Sequence, residues 1–391
     1  MARKGTKIKR YGSIYGRNSG SVVIAAAMII GLSLFAVAGW LLYTPIHDFV
    51  MNIGSDSPKA PASSIAAPVE SQPTSPTAPV TSEAPAPAVT QSEIKGIYIP
   101  AQALGDAQTL SATFENAVSA GFNTVLVDAK DAAGTVLYSS DNAIGKMAGV
   151  AAESTYDAKA AAEKIKSAGL TPAARLHAFR DPAAAIADRD LAVTYYDTAI
   201  YWFDNSPELG GKPWLNPYSD EARRYIVSLA QELCDSGFEM IMLDSVQFPT
   251  GFALDKAGYG ANSGSITRTQ ILSQFVNEVR DAVEDKGAEL VLCCSTDWLT
   301  ADEKMNQMVY GGSPAEYFTE SVMVAMPQDS DNWGNIISSI GEKTSSGQIS
   351  LIPVFAADGA VMDNAELINA VEKSGAEEYV FYNPHGSYRF K

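Results

Sequence analysis

Three aspartates follow short apolar runs in the second half of the chain, at points where a buried strand would end. Asp244 closes "MIMLD", Asp297 directly follows "LVLCCST", and Asp358 comes shortly after "ISLIPVF". Cleavage of a glycosidic bond requires two carboxyl groups: one protonates the leaving oxygen, and the other attacks the anomeric carbon or activates water. Because Asp244 and Asp297 end consecutive predicted strands, they are candidates for such a pair.

Further polar residues lie at the ends of other predicted strands. They are Asp128, Lys130, Arg175, His177 and Asn383. We predict that they line a sugar subsite, and the forked donors of Arg175 would either bind a sugar hydroxyl or keep Asp244 ionised. Each of these residues, taken alone, could equally be a loop cap or an ion-pair partner.

The tryptophans Trp202, Trp214, Trp298 and Trp333 fall in or beside segments that follow predicted strands. A tryptophan is more often part of a protein core, but aromatic rings in loops provide faces on which sugar rings stack. We therefore predict that these side chains form a stacking platform, with Trp202, Trp214 and Trp298 as substrate-binding residues.

Eight apolar runs are typical of buried strands. They are "GIYIP" from residue 96, "TVLVDAK" from 124, "TPAARLHAF" from 171, "EMIMLD" from 239, "LVLCCST" from 290, "SVMVAMP" from 321, "ISLIPVF" from 349 and "EEYVFYN" from 377. Helical segments lie between most of them, such as the one that Ser219 or Asp220 would cap and Gly237 would end. Apolar strands that alternate with helices indicate a covered parallel sheet, and eight such units predict an α/β fold of the (β/α)8 barrel (TIM barrel) type.

The N-terminal part of the chain has a different composition. Residues 1–20 hold six lysines and arginines and no acid, and residues 21–43 run without a charge. An apolar run of ~20 residues predicts one transmembrane helix, and lysine and arginine favour the cytoplasmic side. We therefore predict a single-pass protein of the cell membrane, with a cytoplasmic tail and an extracellular C-terminal domain. A cleaved signal peptide is the alternative, but the apolar run is long for one.

Two further segments complete the predicted organisation. Residues 44–93 are rich in proline, alanine, serine and threonine, which predicts an extended, disordered linker. Residues 94–391 contain all eight predicted strands and form the predicted barrel domain.

Charge and motif content exclude several classes of partner and site. A formal net charge of -17 disfavours binding to nucleic acid. Three cysteines, two of them adjacent, do not form a disulfide framework. Three widely spaced histidines and the lack of a phosphate loop or a G-x-S-x-G motif indicate neither a metal nor a cofactor. A carbohydrate is the predicted ligand.

Five stretches carry a resemblance to a known family. They are "KGIYIPA", "NTVLVDAKDAAGTVLYSS", "AARLHAFRDPAAAIADRDLAV", "WLNPYSDEARRYIVSLAQELCDSGFEMIMLDSVQFP" and "YNPHGSY". Together they resemble the bacterial putative glycoside hydrolase domain family, whose members are similar to α-amylase-like barrels. The resemblance implies a glycoside hydrolase in which Asp244 is the nucleophile, Asp297 the general acid/base and Asp358 a carboxylate that stabilises the transition state.

Three positions depart from that pattern. Ser245 and Gln247 stand where the family has a tyrosine and an arginine, and Met242 stands where amylase-like barrels have an arginine. A cation that would hold a carboxylate ionised is thereby lost. Two hypotheses follow: a membrane-anchored extracellular glycoside hydrolase, or a non-catalytic carbohydrate-binding barrel attached to the cell envelope.

Overall fold

The computed structural model describes residues 93–105, 107–147, 156–196, 198–319, 321–327, 330–343, 349–357, 364–388 and 390. The predicted cytoplasmic tail, the predicted transmembrane helix and residues 44–92 of the predicted linker lie outside these ranges. Within the described ranges, the helices are all too short or too polar to cross a membrane.

Eight parallel strands close into a barrel, which confirms the predicted fold class. The strands are β1 (Lys95–Ile99), β2 (Thr124–Lys130), β3 (Thr171–His177), β4 (Met240–Asp244), β5 (Glu289–Ser295), β6 (Ser321–Ala325), β7 (Ser350–Ala356) and β8 (Tyr379–Tyr382). Each strand pairs with its neighbours in chain order, and β8 closes the barrel against β1. Runs rich in branched apolar residues form these strands because the barrel buries both of their faces.

Helices surround the barrel. Those of the described residues are α1 (Ala107–Ser119), α2 (Ala143–Met147), α3 (Ala158–Ser167), α4 (Pro182–Ala187), α5 (Asp220–Asp235), α6 (Arg268–Glu284), α7 (Asp297–Thr300), α8 (Glu303–Val309), α9 (Trp333–Lys343) and α10 (Asn364–Ser374). The expected boundaries of α5 are confirmed: Ser219 accepts a hydrogen bond from the Ala222 N–H, and Gly237 follows the helix at φ +99°. A serine satisfies a free N–H at the start, and glycine adopts the left-handed turn at the end.

The inside of the barrel changes from apolar to charged along the strands. Its apolar layers are built from Tyr98, Leu126, Ala173, Met240, Met242, Val291, Met323, Ile352 and Val380. Side chains alternate along a strand, so every second residue faces inward. The next inward positions toward the carboxyl ends of β2, β3 and β4 hold Asp128, Arg175 and Asp244. The charged cluster therefore rests on a closed apolar floor.

Lys130 does not join this cluster, so its predicted place in a sugar subsite is wrong. The pairing of β2 with β3 shifts register between Asp128 and Lys130. Lys130 Nζ lies 2.8 Å from Asp181 Oδ2, and both side chains are fully buried. Asp181 also caps α4 by accepting a hydrogen bond from the Ala184 N–H. The β-bulge therefore directs the ammonium group to an ion pair that ties β2 to α4.

Gly134 packs against this ion pair with φ +85°, and a Cβ at this position would overlap Asp181 Oδ1. We expect Gly134→Ala to lower the free energy of unfolding by about 3 kcal/mol or more, because left-handed strain of ~1–3 kcal/mol adds to the disturbance of a buried ion pair. Urea denaturation measures this loss. Gly121→Ala is the matched control, since Gly121 has φ +88° and no described atom within 4 Å of the added Cβ. Equal losses in the two variants would contradict a role for the ion pair.

Candidate active site

Asp244 is the centre of a charged cluster at the carboxyl-terminal mouth of the barrel. Arg175 donates two hydrogen bonds to Asp244 Oδ2, from Nη2 at 2.6 Å and from Nε at 3.2 Å. The side chain of Asp244 is only 20% exposed and that of Arg175 only 18%. Burial opposes ionisation of Asp244, but Arg175 together with His177 and Ser245 outweighs it and holds the pKa of this carboxyl below its usual value. Asp244 is therefore ionised at neutral pH.

Asp128 lies on the other side of the same guanidinium group. Its Oδ1 is 3.6 Å from Arg175 Nη1, and its Oδ2 accepts a hydrogen bond from the Tyr98 hydroxyl at 2.7 Å. Oδ1 is buried and has no hydrogen-bond partner in the described part of the chain. Burial, with a smaller contribution from the neighbouring acids, raises the pKa of Asp128 above its usual value although Arg175 and Tyr98 lower it. The two carboxyl groups are thus shifted in opposite directions, as they are in enzymes that use one as acid and one as base.

Ser245 holds the second oxygen of Asp244. Its hydroxyl donates to Asp244 Oδ1 at 3.0 Å, and His177 Nδ1 lies 3.0 Å from the same hydroxyl oxygen. Burial lowers the pKa of His177 to about 4, so the imidazole is neutral at physiological pH. With the serine hydrogen directed at Asp244, the imidazole N–H at Nδ1 donates to Ser245. Both oxygens of Asp244 are therefore fixed in position.

Three residues of the mouth do not emerge from the sequence analysis: Tyr98, Tyr382 and Cys293. The ring centres of Tyr98 and Tyr382 lie 4.4 Å apart, and the Arg175 guanidinium lies 6.0 Å from the centre of the Tyr382 ring. Cys293 packs on the apolar interior, and burial raises the pKa of its thiol. Strict alternation along the strands could have indicated all three, because they occupy inward-facing positions.

The other two predicted catalytic acids are not part of the Arg175 cluster that the structure describes. Asp297 is the first residue of α7, and its side chain is exposed. Asp358 lies outside the described residues. The roles of Asp297 and Asp358 stay predictions. In the ranges that the structure describes, no group of three or more His, Cys, Asp or Glu side chains is placed to hold a metal ion.

A family match identifies the class of this barrel. The family model described as "Putative glycosyl hydrolase domain" matches residues 96–308, which is more than half of the chain. The chain belongs to this glycosyl hydrolase family. The matched residues run from β1 to α8 and include Asp128, Arg175, His177, Asp244 and Asp297. The charged mouth is therefore part of the family's domain, and the glycosyl hydrolase barrel is carbohydrate-active.

Solved structures with a similar fold include three whose own length is almost entirely covered. A hypothetical protein from Ruminiclostridium thermocellum is 24% identical, with 50% of this chain and 96% of that chain covered and a TM-score of 0.44. The glycoside hydrolase domain of PelA from Pseudomonas aeruginosa is 14% identical, with 76% and 96% covered and a TM-score of 0.42. Ega3 from Aspergillus fumigatus, in complex with galactosamine, is 14% identical, with 75% and 92% covered and a TM-score of 0.38. No curated protein matches the sequence.

The predicted tryptophan platform is wrong for the glycosyl hydrolase barrel, because these rings are buried. Their exposed fractions are 0% for Trp202, 3% for Trp214, 2% for Trp298 and 3% for Trp333. Trp202 Nε1 donates to the Ala253 carbonyl at 3.0 Å, and Trp214 Nε1 donates to Asp204 Oδ2 at 3.0 Å. These side chains anchor the long loops to the barrel core, where no ring face is open to a sugar.

Asn383, predicted to bind substrate, instead organises the loop after β8. Its Nδ2 donates to the carbonyls of Ala357 at 2.9 Å and Ser387 at 2.6 Å. Its Oδ1 accepts a hydrogen bond from the His385 N–H at 2.8 Å. The amide group is 4% exposed and fully engaged, so this predicted role is also wrong.

The opposite pKa shifts predict opposite effects on stability. An aspartate with a lowered pKa stabilises the fold above its unfolded value of about 3.9, and this contribution is lost as the pH falls through the folded pKa. The pKa of Asp128 is raised, so the pH dependence is reversed. Its contribution to the stability of the fold is present at low pH and lost as the pH rises. At pH 7 we expect Asp244→Asn to lower the free energy of unfolding by about 3 kcal/mol and Asp128→Asn to leave it unchanged or raise it.

Urea denaturation of the two variants between pH 3 and pH 7 checks this prediction. The deficit of Asp244→Asn relative to the unaltered glycosyl hydrolase should shrink toward pH 3, because Asp244 itself then approaches protonation. An equal loss of stability in both variants at pH 7 would refute the conclusion that Arg175 stabilises the charge of Asp244 more than that of Asp128.

Proposed function

We propose that the barrel hydrolyses glycosidic bonds of a polysaccharide or cell-surface glycan at its carboxyl-terminal mouth. The observation that supports this most directly is the ionised Asp244, held by Arg175 beside a second carboxyl group, Asp128. A fixed, ionised carboxylate is what an attack on the anomeric carbon needs, and barrel enzymes carry their catalytic groups at these strand ends.

The proposed reaction uses Asp244 and Asp297. Asp244 attacks the anomeric carbon, and a protonated Asp297 donates its proton to the leaving oxygen as the glycosidic bond breaks. Asp297, now a carboxylate, takes a proton from water, and the resulting attack releases the sugar and restores Asp244. The position of Asp297 after β5, the strand next to β4, supports its role as the acid.

The remaining mouth residues have supporting roles in this proposal. Arg175 stabilises the charge of Asp244, and Ser245 with His177 orients its second oxygen. Asp128 and Tyr98 bind a sugar hydroxyl, and Asp358 stabilises the transition state. Asp128 is also the competing candidate for the acid, because burial raises its pKa.

The proposed location is the outer face of a cell membrane. The basic residues 1–20, the apolar residues 21–43 and the proline-rich residues 44–93 would anchor the barrel and hold it away from the lipid. Protease added to intact cells should release the barrel domain from the membrane fraction. A barrel that is protected until the cells are lysed would contradict this location.

We expect Asp244→Asn to reduce release of oligosaccharide from bacterial surface glycans and α-glucans by ~10³-fold or more, because the attacking carboxylate is lost. The full chain is assayed by reducing-end formation, with Asp285→Asn as a control at an exposed acid that follows α6 and precedes β5, at the end of the barrel opposite the mouth. Unchanged activity in Asp244→Asn would rule out the mechanism. Glycan binding without release by the unaltered protein would favour the non-catalytic carbohydrate-binding barrel.

A comparison of substrates with different leaving groups tests which residue is the general acid. Loss of a general acid costs ~10²–10⁴-fold on a natural glycan, but little on a nitrophenyl glycoside whose leaving group needs no proton. For Asp297→Asn we therefore expect kcat/KM to fall strongly on a natural glycan and little on the nitrophenyl glycoside. If Asp128→Asn gives the pattern and Asp297→Asn does not, Asp128 is the acid.

A further inference from the structure

A groove on the barrel domain lies outside the charged mouth. Its volume is about 410 Å³, and it runs between the loop after β4, the start of α6 and the end of α8. The residues that matter for its chemistry are Tyr196, Tyr218, Asp255, Tyr259, Arg268 and Met308. Asp128, Arg175 and Asp244 are not part of its lining. The groove is therefore a separate site.

Tyr196 presents an exposed ring from a fixed backbone. Its exposed fraction is 70%, and its N–H donates to the Lys256 carbonyl at 2.9 Å. The preceding strand Thr194–Tyr195 pairs antiparallel with Ala257–Gly258. Gly258 approaches so closely that a Cβ on it would lie 2.8 Å from Tyr196 Cα. Because the backbone is already ordered, a ligand that stacks on the Tyr196 ring loses little binding energy to loop ordering.

Two further tyrosines line the groove. The Tyr218 hydroxyl donates to the Ile266 carbonyl at 2.8 Å. Tyr259 is 7% exposed, and the centre of its ring lies 4.8 Å from the Arg268 guanidinium carbon. These two rings form part of the groove wall beside Arg268.

Arg268 supplies hydrogen-bond donors to the same groove. Its guanidinium carbon lies 4.5 Å from the centre of the Phe248 ring and 4.8 Å from that of Tyr259, and Nη1 donates to the Met308 carbonyl. A guanidinium has five N–H donors, so donors remain for a ligand.

We propose that this groove is a second carbohydrate-binding site for a neutral oligosaccharide, with one sugar ring stacked on Tyr196 and its hydroxyls bonded to Arg268. An aromatic face beside a few fixed polar groups is typical of such sites. The acidic chain and Asp255 on the groove disfavour a polyanionic glycan. The choice of carbohydrate as ligand rests on the proposed function, but binding here needs no turnover.

Isothermal titration calorimetry of the full chain tests the groove. The parent protein carries Asp244→Asn so that no substrate is cleaved, and the probes are maltohexaose, N-acetylchitohexaose and, as an anionic comparison, hexagalacturonate. We expect at least one neutral hexasaccharide to bind and Tyr196→Ala to weaken that binding about 10-fold. Tyr196→Phe should bind like the parent because it keeps the ring. Leu209→Ala is the control, since Leu209 is 73% exposed outside the groove.

The outcomes separate this proposal from the proposed function. The groove is refuted if neither neutral hexasaccharide binds, if Tyr196→Ala binds as tightly as the parent, or if hexagalacturonate binds more tightly than the neutral probes. Hydrolysis by the unaltered chain is measured separately. Tyr196-dependent binding without any hydrolysis would contradict the proposed hydrolase activity but support the second binding site.

Discussion

Arg175, which lies between Asp244 and Asp128, is the constraint on which the mouth of this barrel depends. Burial disfavours the charge on both neighbouring carboxyl groups, and a low-dielectric site cannot hold two anions side by side without compensation. Arg175 lies 2.6 Å from Asp244 and 3.6 Å from Asp128, so it compensates them unequally. The pKa of Asp244 is lowered and that of Asp128 is raised. Burial of both groups and unequal compensation by one arginine thus leave one stable anion and one carboxyl group that protonates more readily.

Arg175 also supplies the positive charge that is missing because Met242 stands in place of an arginine. The resemblance stated for the sequence implied an arginine where Met242 stands. Here Arg175 on β3 pairs in register with Met242 on β4, and its side chain reaches Asp244. The cation is therefore supplied from the adjacent strand, and the methionine remains part of the apolar floor. The missing arginine does not leave Asp244 without a counter-ion.

The sequence was sufficient to predict the strands, because their positions follow from the periodicity of apolar residues. It was not sufficient for residues whose positions depend on which side chains they contact. Eight apolar runs were enough to predict the barrel, and strand ends were enough to bring Asp128, Arg175, His177 and Asp244 together. A β-bulge, which no pattern of residue types reveals, removed Lys130 from the mouth. The tryptophans are buried because large apolar rings stabilise the loop core more than they would a solvent-exposed platform.

Ser245 shows why a local departure need not abolish a site. Its φ of +58° carries a cost of ~1–3 kcal/mol for a residue other than glycine, so the surrounding contacts must hold it in place. The Ser245 hydroxyl contacts both Asp244 Oδ1 and His177 Nδ1 at 3.0 Å. A neutral imidazole can donate to the serine while the serine donates to the carboxylate, and the low pKa of His177 maintains that state at physiological pH. The strain therefore accompanies a contact that orients Asp244 without adding a second positive charge beside it.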